Sequence, residues 1–159
     1  MICERILGNI EEESFADATV GRELDTIDVS WQECAKRFAR KQSRAKRDVG
    51  LLLPVGARLR HGDVVYATAR VVIQVSVIPC DVFGIAADEI ALAKIAYELG
   101  DRHWPVELGE DGLVVPADET SEAFLEERGI SYVRESRRFH PYSAVREARV
   151  SADFEIRRH

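Results

Sequence analysis

Short apolar runs separated by turn residues dominate the first half of the chain. Gly, Asn, Asp and Pro divide six β-type stretches, CERILG, LDTIDVSW, KRFARKQ, VGLLLP, DVVYAT and RVVIQVSVI. Strands of this length and spacing predict a small all-β domain, either a sandwich or a barrel. Helical spacing first appears after Ile78 and Pro79. We therefore place a domain boundary there and predict a β-rich domain over residues 1–78.

Strand and helix patterns alternate in the second half. After the strand pattern CDVFGIA, Asp88 offers an N-cap for a helix that ends at Gly100 and carries an apolar stripe of Leu92, Ile95, Ala96 and Leu99. A β-hairpin pattern, a second helix capped by Asp118 and the strand pattern SYVRES follow. The order βαββαβ over residues 79–140 predicts a ferredoxin-like domain. We expect an α+β protein whose charged residues 141–159 form a flexible tail.

Composition narrows the function classes. The 159 residues are 46% hydrophobic and 31% charged, with a net charge of -6, which is typical of a globular protein. The three cysteines have no CxxC spacing, so we expect free thiols. No apolar run approaches the roughly 20 residues of a membrane span, and the N-terminus lacks a secretion signal. We expect a cytoplasmic protein with no membrane partner.

One basic stretch, AKRFARKQSRAKRD over Ala35 to Asp48, opposes the acidic balance of the chain. Clustered Lys and Arg bind phosphates by releasing counterions, so a nucleic-acid or peptide-binding adaptor is an alternative function. Phe38 is its only aromatic residue, too few for stacking on bases. We therefore expect a solvated hairpin face and no nucleic-acid partner.

The histidines are the main candidates for chemistry, because GxGxxG, phosphate-loop, HExxH and GxSxG patterns are absent. His61 fits a turn and His140 an extended segment, each without a ligand partner at short spacing. His103 follows a helix end in GDRHWP, beside Asp101. A base at His103 would need a second catalytic group that the sequence does not offer, so we predict no catalytic or cofactor-binding residues.

A lone His103 supplies one imidazole, whereas metal sites use several ligands. A two-fold dimer with His103 near its axis would bring two copies together. Two imidazoles would hold a divalent ion such as Ni, Cu or Zn in an open, exchangeable site. The C-terminal His159 is the expected auxiliary ligand, because two imidazoles leave the ion undersaturated.

Two segments carry a resemblance to a known family. The segments ADEIALAKIAYELGDRHWPVEL and DGLVVPAD resemble the central signature of the UreE family, the urease accessory nickel metallochaperones. The upstream RDVGLLLPVGARLRHGDVV is similar to that family's N-terminal domain. Asp101 stands where the family usually has Asn, which adds an acceptor beside the candidate ligand. Relatives often end in a histidine-rich tail, whereas this chain offers only His140 and His159 there.

The resemblance implies a non-enzymatic nickel carrier. It implies a peptide-binding-like β domain, followed by a ferredoxin-like metal-binding domain through which the chain forms a homodimer. His103 would bind Ni²⁺ at the dimer axis, with Cu²⁺ or Zn²⁺ as competitors. The expected partners are apo-urease and its maturation GTPase.

Overall fold

The computed structural model describes residues 1–13, 15 and 19–142. The predicted tail, residues 141–159, lies outside this part of the chain except for Pro141 and Tyr142. The strands are β1 (Ile2–Cys3), β2 (Gly8–Asn9), β3 (Glu23–Val29), β4 (Phe38–Gln42), β5 (Asp48–Leu52), β6 (Asp63–Ala67), β7 (Val71–Val77), β8 (Cys80–Ile85), β9 (Glu107–Gly109), β10 (Gly112–Pro116) and β11 (Val133–Arg137). A 3-10 helix spans Glu33–Ala35, and the α-helices are α1 (Glu89–Asp101) and α2 (Glu119–Glu127). The α+β class is confirmed.

The first seven strands form two sheets, one in the order β1-β5-β4 and the other in the order β2-β6-β7-β3. β3 pairs with β7 in parallel, from Glu23 opposite Val71 to Val29 opposite Val77. The two sheets share one apolar core, which includes Ile27, Val29, Val49, Leu51, Leu53, Val65, Ile73 and Val75. Alternating apolar positions along short strands build this core, as the sequence pattern predicts.

The stretch CERILG is not the single strand that its pattern predicts. β1 pairs with β5 in one sheet, and β2 pairs with β6 in the other. The chain must therefore leave the first sheet and enter the second between Cys3 and Gly8. The intervening residues connect the two sheets and belong to neither.

The last four strands form an antiparallel sheet in the order β11-β8-β10-β9. With α1 between β8 and β9 and α2 between β10 and β11, this is the ferredoxin-like arrangement that the sequence predicts. Both helices pack on one face of the sheet, in a core that joins Ile95, Leu99, Phe124 and Leu125 to Phe83, Ile85, Leu113 and Val115.

The opposite face of this sheet packs against a residue of the N-terminal half. Val82 and Val114 pack there with Phe139, which is buried, and with Trp31 from the loop after β3. The Trp31 and Phe139 rings meet edge to face, with centroids 5.0 Å apart. Arg138 donates a hydrogen bond to the Val77 carbonyl at the end of β7. Residues that follow β11 thus anchor the C-terminal sheet to the N-terminal part.

The basic stretch forms the β4–β5 hairpin on the surface. Its cations are matched by carboxylates in four places, namely Arg40 with Asp48, Lys41 with Glu33, Arg44 with Asp28, and Arg47 with both Glu23 and Asp25. These pairs offset much of the positive charge that the sequence places here. The hairpin is thus an ion-paired face and lacks the row of aromatic rings on which bases stack.

Neither helix is long and apolar enough to cross a bilayer among the described residues.

Candidate functional site

The end of α1 positions the histidine that the sequence singles out. Asp88 caps the start of the helix, where its side chain accepts a hydrogen bond from the backbone N–H of Ala91. The apolar stripe of α1 then fixes the rotation of the helix on the sheet, with Leu99 fully buried. The helix runs to Asp101, one residue beyond the predicted stop at Gly100, and Arg102 is its C-cap.

His103 occupies the left-handed position directly after that cap, with φ at 54°. Its N–H donates to the Gly100 carbonyl at 3.0 Å, and the N–H of Trp104 donates to the Leu99 carbonyl at 3.0 Å. These two bonds define a Schellman motif, in which one residue adopts left-handed backbone angles to close the helix. The motif leaves His103 exposed at the tip of α1.

The end of α2 is an internal comparison, because it closes with the same motif. Gly129 takes the left-handed position there, with φ at 62°. Its N–H donates to the Glu126 carbonyl, and the N–H of Ile130 donates to the Leu125 carbonyl. Glycine is the usual residue at such a position because it has no Cβ to clash. A side chain costs roughly 1 kcal/mol there, so His103 is conformationally unfavourable at a place where glycine would suffice.

The two residues that flank His103 in the chain contact aromatic rings at the helix ends. The Trp104 ring meets Phe124 of α2 edge to face, with centroids 5.5 Å apart. The Arg102 guanidinium lies 5.2 Å from the Phe124 centroid and 5.7 Å from that of Trp104. Arg128, the C-cap of α2, also lies over Phe124 and forms an ion pair with Glu98. The two helix ends are therefore packed together, and His103 lies in the chain between two residues of this contact.

A second apolar stripe runs along the outer side of α1, away from the sheet. Ile90 is 70% exposed and Tyr97 is 77% exposed, with Ala93 between them. Spacings of three and four residues place these side chains on one helical face. This stripe is not among the sequence-based predictions, although its spacing is visible in IALAKIAY. Its presence gives α1 one apolar face on the core and another on solvent.

His61 and His140 lie together elsewhere, and both line a cavity of about 740 Å³ beside the Trp31–Phe139 contact. Nδ1 of His61 accepts a hydrogen bond from the Val77 N–H at 3.3 Å. Burial lowers the pKa of His61, and the charge of Arg138 lowers it further. Because Nδ1 is an acceptor, the ring proton of neutral His61 is on Nε2. That tautomer makes His61 a poor metal ligand and supports its assignment as a turn residue.

The thiols do not add a metal site. Cys3, Cys34 and Cys80 are free, as the sequence predicts. Burial raises the pKa of Cys34 to about 11, so its thiol stays protonated at neutral pH. Over residues 1–13, 15 and 19–142, no three His, Cys, Asp or Glu side chains come together in a cluster that could hold a metal ion. His159, the predicted auxiliary ligand, lies outside the described residues.

The fold and site define an α+β protein with two N-terminal sheets, a ferredoxin-like layer and an exposed, strained histidine at a helix end. The family model for the UreE urease accessory protein N-terminal domain matches residues 3–78, and that for the C-terminal domain matches residues 73–157. The chain belongs to the UreE family.

Curated relatives agree with this assignment. The chain is 30% identical to a urease accessory protein UreE of Actinobacillus pleuropneumoniae, over 86% of this chain and 74% of the relative. It is 34% identical to a urease accessory protein UreE of Kocuria rhizophila, over 86% of this chain and 93% of the relative. Another of that name, from Helicobacter pylori, is 31% identical over 82% of this chain and 77% of the relative.

Proposed function

We propose that this protein is a non-enzymatic nickel metallochaperone of the cytoplasm. It delivers Ni²⁺ to apo-urease in a complex with the urease maturation GTPase. Membership of the urease accessory family supports a role in urease maturation. The observation that supports nickel binding is the conformation of His103, whose exposed imidazole is held on a backbone that favours glycine. Strain of this kind is concentrated at functional sites.

The site requires a second copy of the chain, because His103 alone supplies one ligand. We propose a homodimer through the ferredoxin-like part, with residues 79–140 as the metal-binding and dimerising domain and residues 1–78 as a peptide-binding-like domain. The apolar stripe of Ile90, Ala93 and Tyr97 supports this, since it leads along α1 toward His103. An isologous contact of α1 with its own copy brings the two helix ends into one interface.

The resulting site is open, as a carrier needs. Two imidazoles favour Ni²⁺, Cu²⁺ or Zn²⁺ and leave coordination positions for water or for a recipient protein. The exposed Asp101 and the C-terminal His159 are the groups in this chain proposed to complete the shell. Deleting residues 149–159 is therefore expected to weaken Ni²⁺ binding modestly and to preserve the dimer.

Urease activation in cells tests the proposed function. A strain that produces His103→Gly should show strongly reduced urease activity at limiting nickel, because both interfacial ligands are lost. His61→Ala is the matched control, since His61 lines the separate cavity. Equal urease activity in the His103→Gly and wild-type strains at limiting nickel would refute the proposal.

A further inference from the structure

The side chain that follows His103 is an indole ring that packs edge to face on Phe124 of the second helix. We propose that Trp104 is the positioning residue for the metal ligand: its indole holds His103 in the left-handed conformation from which the imidazole binds the ion. The inference rests on the proposed function of His103. It concerns how the Trp104 side chain holds the conformation from which the His103 imidazole binds the ion.

The backbone of Trp104 supplies one half of the constraint. Its N–H bonds to the Leu99 carbonyl and spans five residues, so the left-handed turn at His103 is enclosed within this bond. If Trp104 moves away from the helix end, the bond breaks and residue 103 is free to relax to extended or right-handed angles. Because a side chain disfavours the left-handed region, that relaxation is downhill for His103.

The indole ring of Trp104 supplies the other half of the constraint on His103. It is half-buried in the core that contains Leu99, and it packs edge to face on Phe124 of the second helix. The guanidinium of Arg102 lies over the same two rings. The residue before His103 and the residue after it are thus both anchored to Phe124. The anchoring opposes the strain at His103 and keeps two imidazoles at a fixed separation across the proposed interface.

The end of α2 shows the same Schellman motif at a position where no metal ligand is proposed. There the left-handed residue is Gly129, which has no strain to oppose, and the position equivalent to Trp104 is held by Ile130. Ile130 is also partly buried in the same core. The large aromatic anchor thus occurs at the helix end where the left-handed residue bears a side chain.

The geometry of the metal ligand explains why the Trp104 side chain should affect the affinity for Ni²⁺. Groups that orient a metal ligand without touching the ion typically change affinity 10- to 100-fold when they are mutated. We therefore expect Trp104→Ala to weaken Ni²⁺ binding at least about 10-fold. Trp104→Phe, which keeps a ring against Phe124, should stay within about 3-fold of wild type, a smaller loss than that range.

Titration calorimetry with NiCl₂ on the purified full chain tests the proposal, with Ile130→Ala as the matched control. Both alanine variants remove an apolar anchor after a helix end, so both should lower the thermal midpoint. Only Trp104→Ala should lose Ni²⁺ affinity, and light scattering should show that it remains a dimer. If Trp104→Ala is too unstable to purify, Trp104→Leu takes its place, with affinity expected between those of wild type and His103→Gly.

The outcomes are distinguishable. Wild-type affinity in Trp104→Ala or its replacement, or an equal loss in Ile130→Ala, would overturn the positioning role. Loss of affinity through dissociation to monomers would also overturn it. If instead His103→Gly binds Ni²⁺ like wild type, the proposed function itself is refuted.

Discussion

At the scale of the single residue, the left-handed backbone of His103 lowers the stability of the fold and leaves an imidazole exposed. His103→Gly removes the Cβ from a left-handed position and is expected to raise the free energy of unfolding by roughly 1 kcal/mol. His103→Ala keeps a Cβ and should bring no such gain. Urea denaturation of the metal-free proteins measures the difference. A His103→Gly protein less stable than His103→Ala would contradict the strain argument.

Part of this residue's environment could be predicted from sequence. An apolar stripe that is followed by Gly100 and then by His103 indicates a helix end with an exposed histidine, because helix caps are set by local chemistry. The left-handed angle of His103 could not be predicted, because Gly100 was the obvious candidate for that position. The helix instead continues past Gly100, since its last turn is completed by bonds that involve Arg102, His103 and Trp104.

At the scale of secondary structure elements, sequence predicts best what is local. Asp88 and Asp118 both cap helices as expected, and Asp118 also forms a capping box with Ser121. The division of CERILG between two sheets was not predictable from sequence. It depends on pairing with two distant strands, since β1 pairs with β5 and β2 pairs with β6. The pairing of the basic hairpin with acids on β3 likewise depends on contacts between residues far apart in sequence.

The β4–β5 hairpin is attached to β3 through a buried carboxylate, Asp25, whose side chain is only 1% exposed. Burial raises its pKa, but hydrogen bonds from Ser43, Arg47 and the N–H groups of Ala45 and Thr26 together lower it to about 2. The carboxylate form is therefore strongly favoured in the folded state. Asp25→Asn should cost on the order of 2 kcal/mol at neutral pH.

This attachment predicts a pH dependence with a definite sign. A folded pKa below the unfolded value of about 3.9 stabilises the protein above that pH. The contribution, on the order of 2 kcal/mol, is lost as pH falls through about 4 to about 2. The gap in unfolding free energy between wild type and Asp25→Asn should therefore shrink over that range. A gap that stays constant from about pH 5 down to about pH 2 would contradict this, because most of the contribution should be lost within that range.

At the scale of the whole molecule, the outer stripe of α1 is the expected dimer contact. Tyr97→Glu places a charge at the end of that stripe nearest His103 and should convert the dimer to a monomer at micromolar concentration, because an unpaired charge resists burial. Light scattering measures the mass. Val133→Glu is the control, since Val133 is 70% exposed but lies on the edge strand β11. A dimeric Tyr97→Glu protein would place the interface elsewhere.

The most direct test of the central claim is the number of Ni²⁺ ions bound per chain, measured by titration calorimetry on the metal-free protein. If two copies of His103 form one site, wild type should bind one tightly held ion per two chains. His103→Gly, still folded and dimeric, should lose that ion completely, and His140→Ala should retain it. A His103→Gly protein that binds nickel with wild-type stoichiometry and affinity would contradict the account.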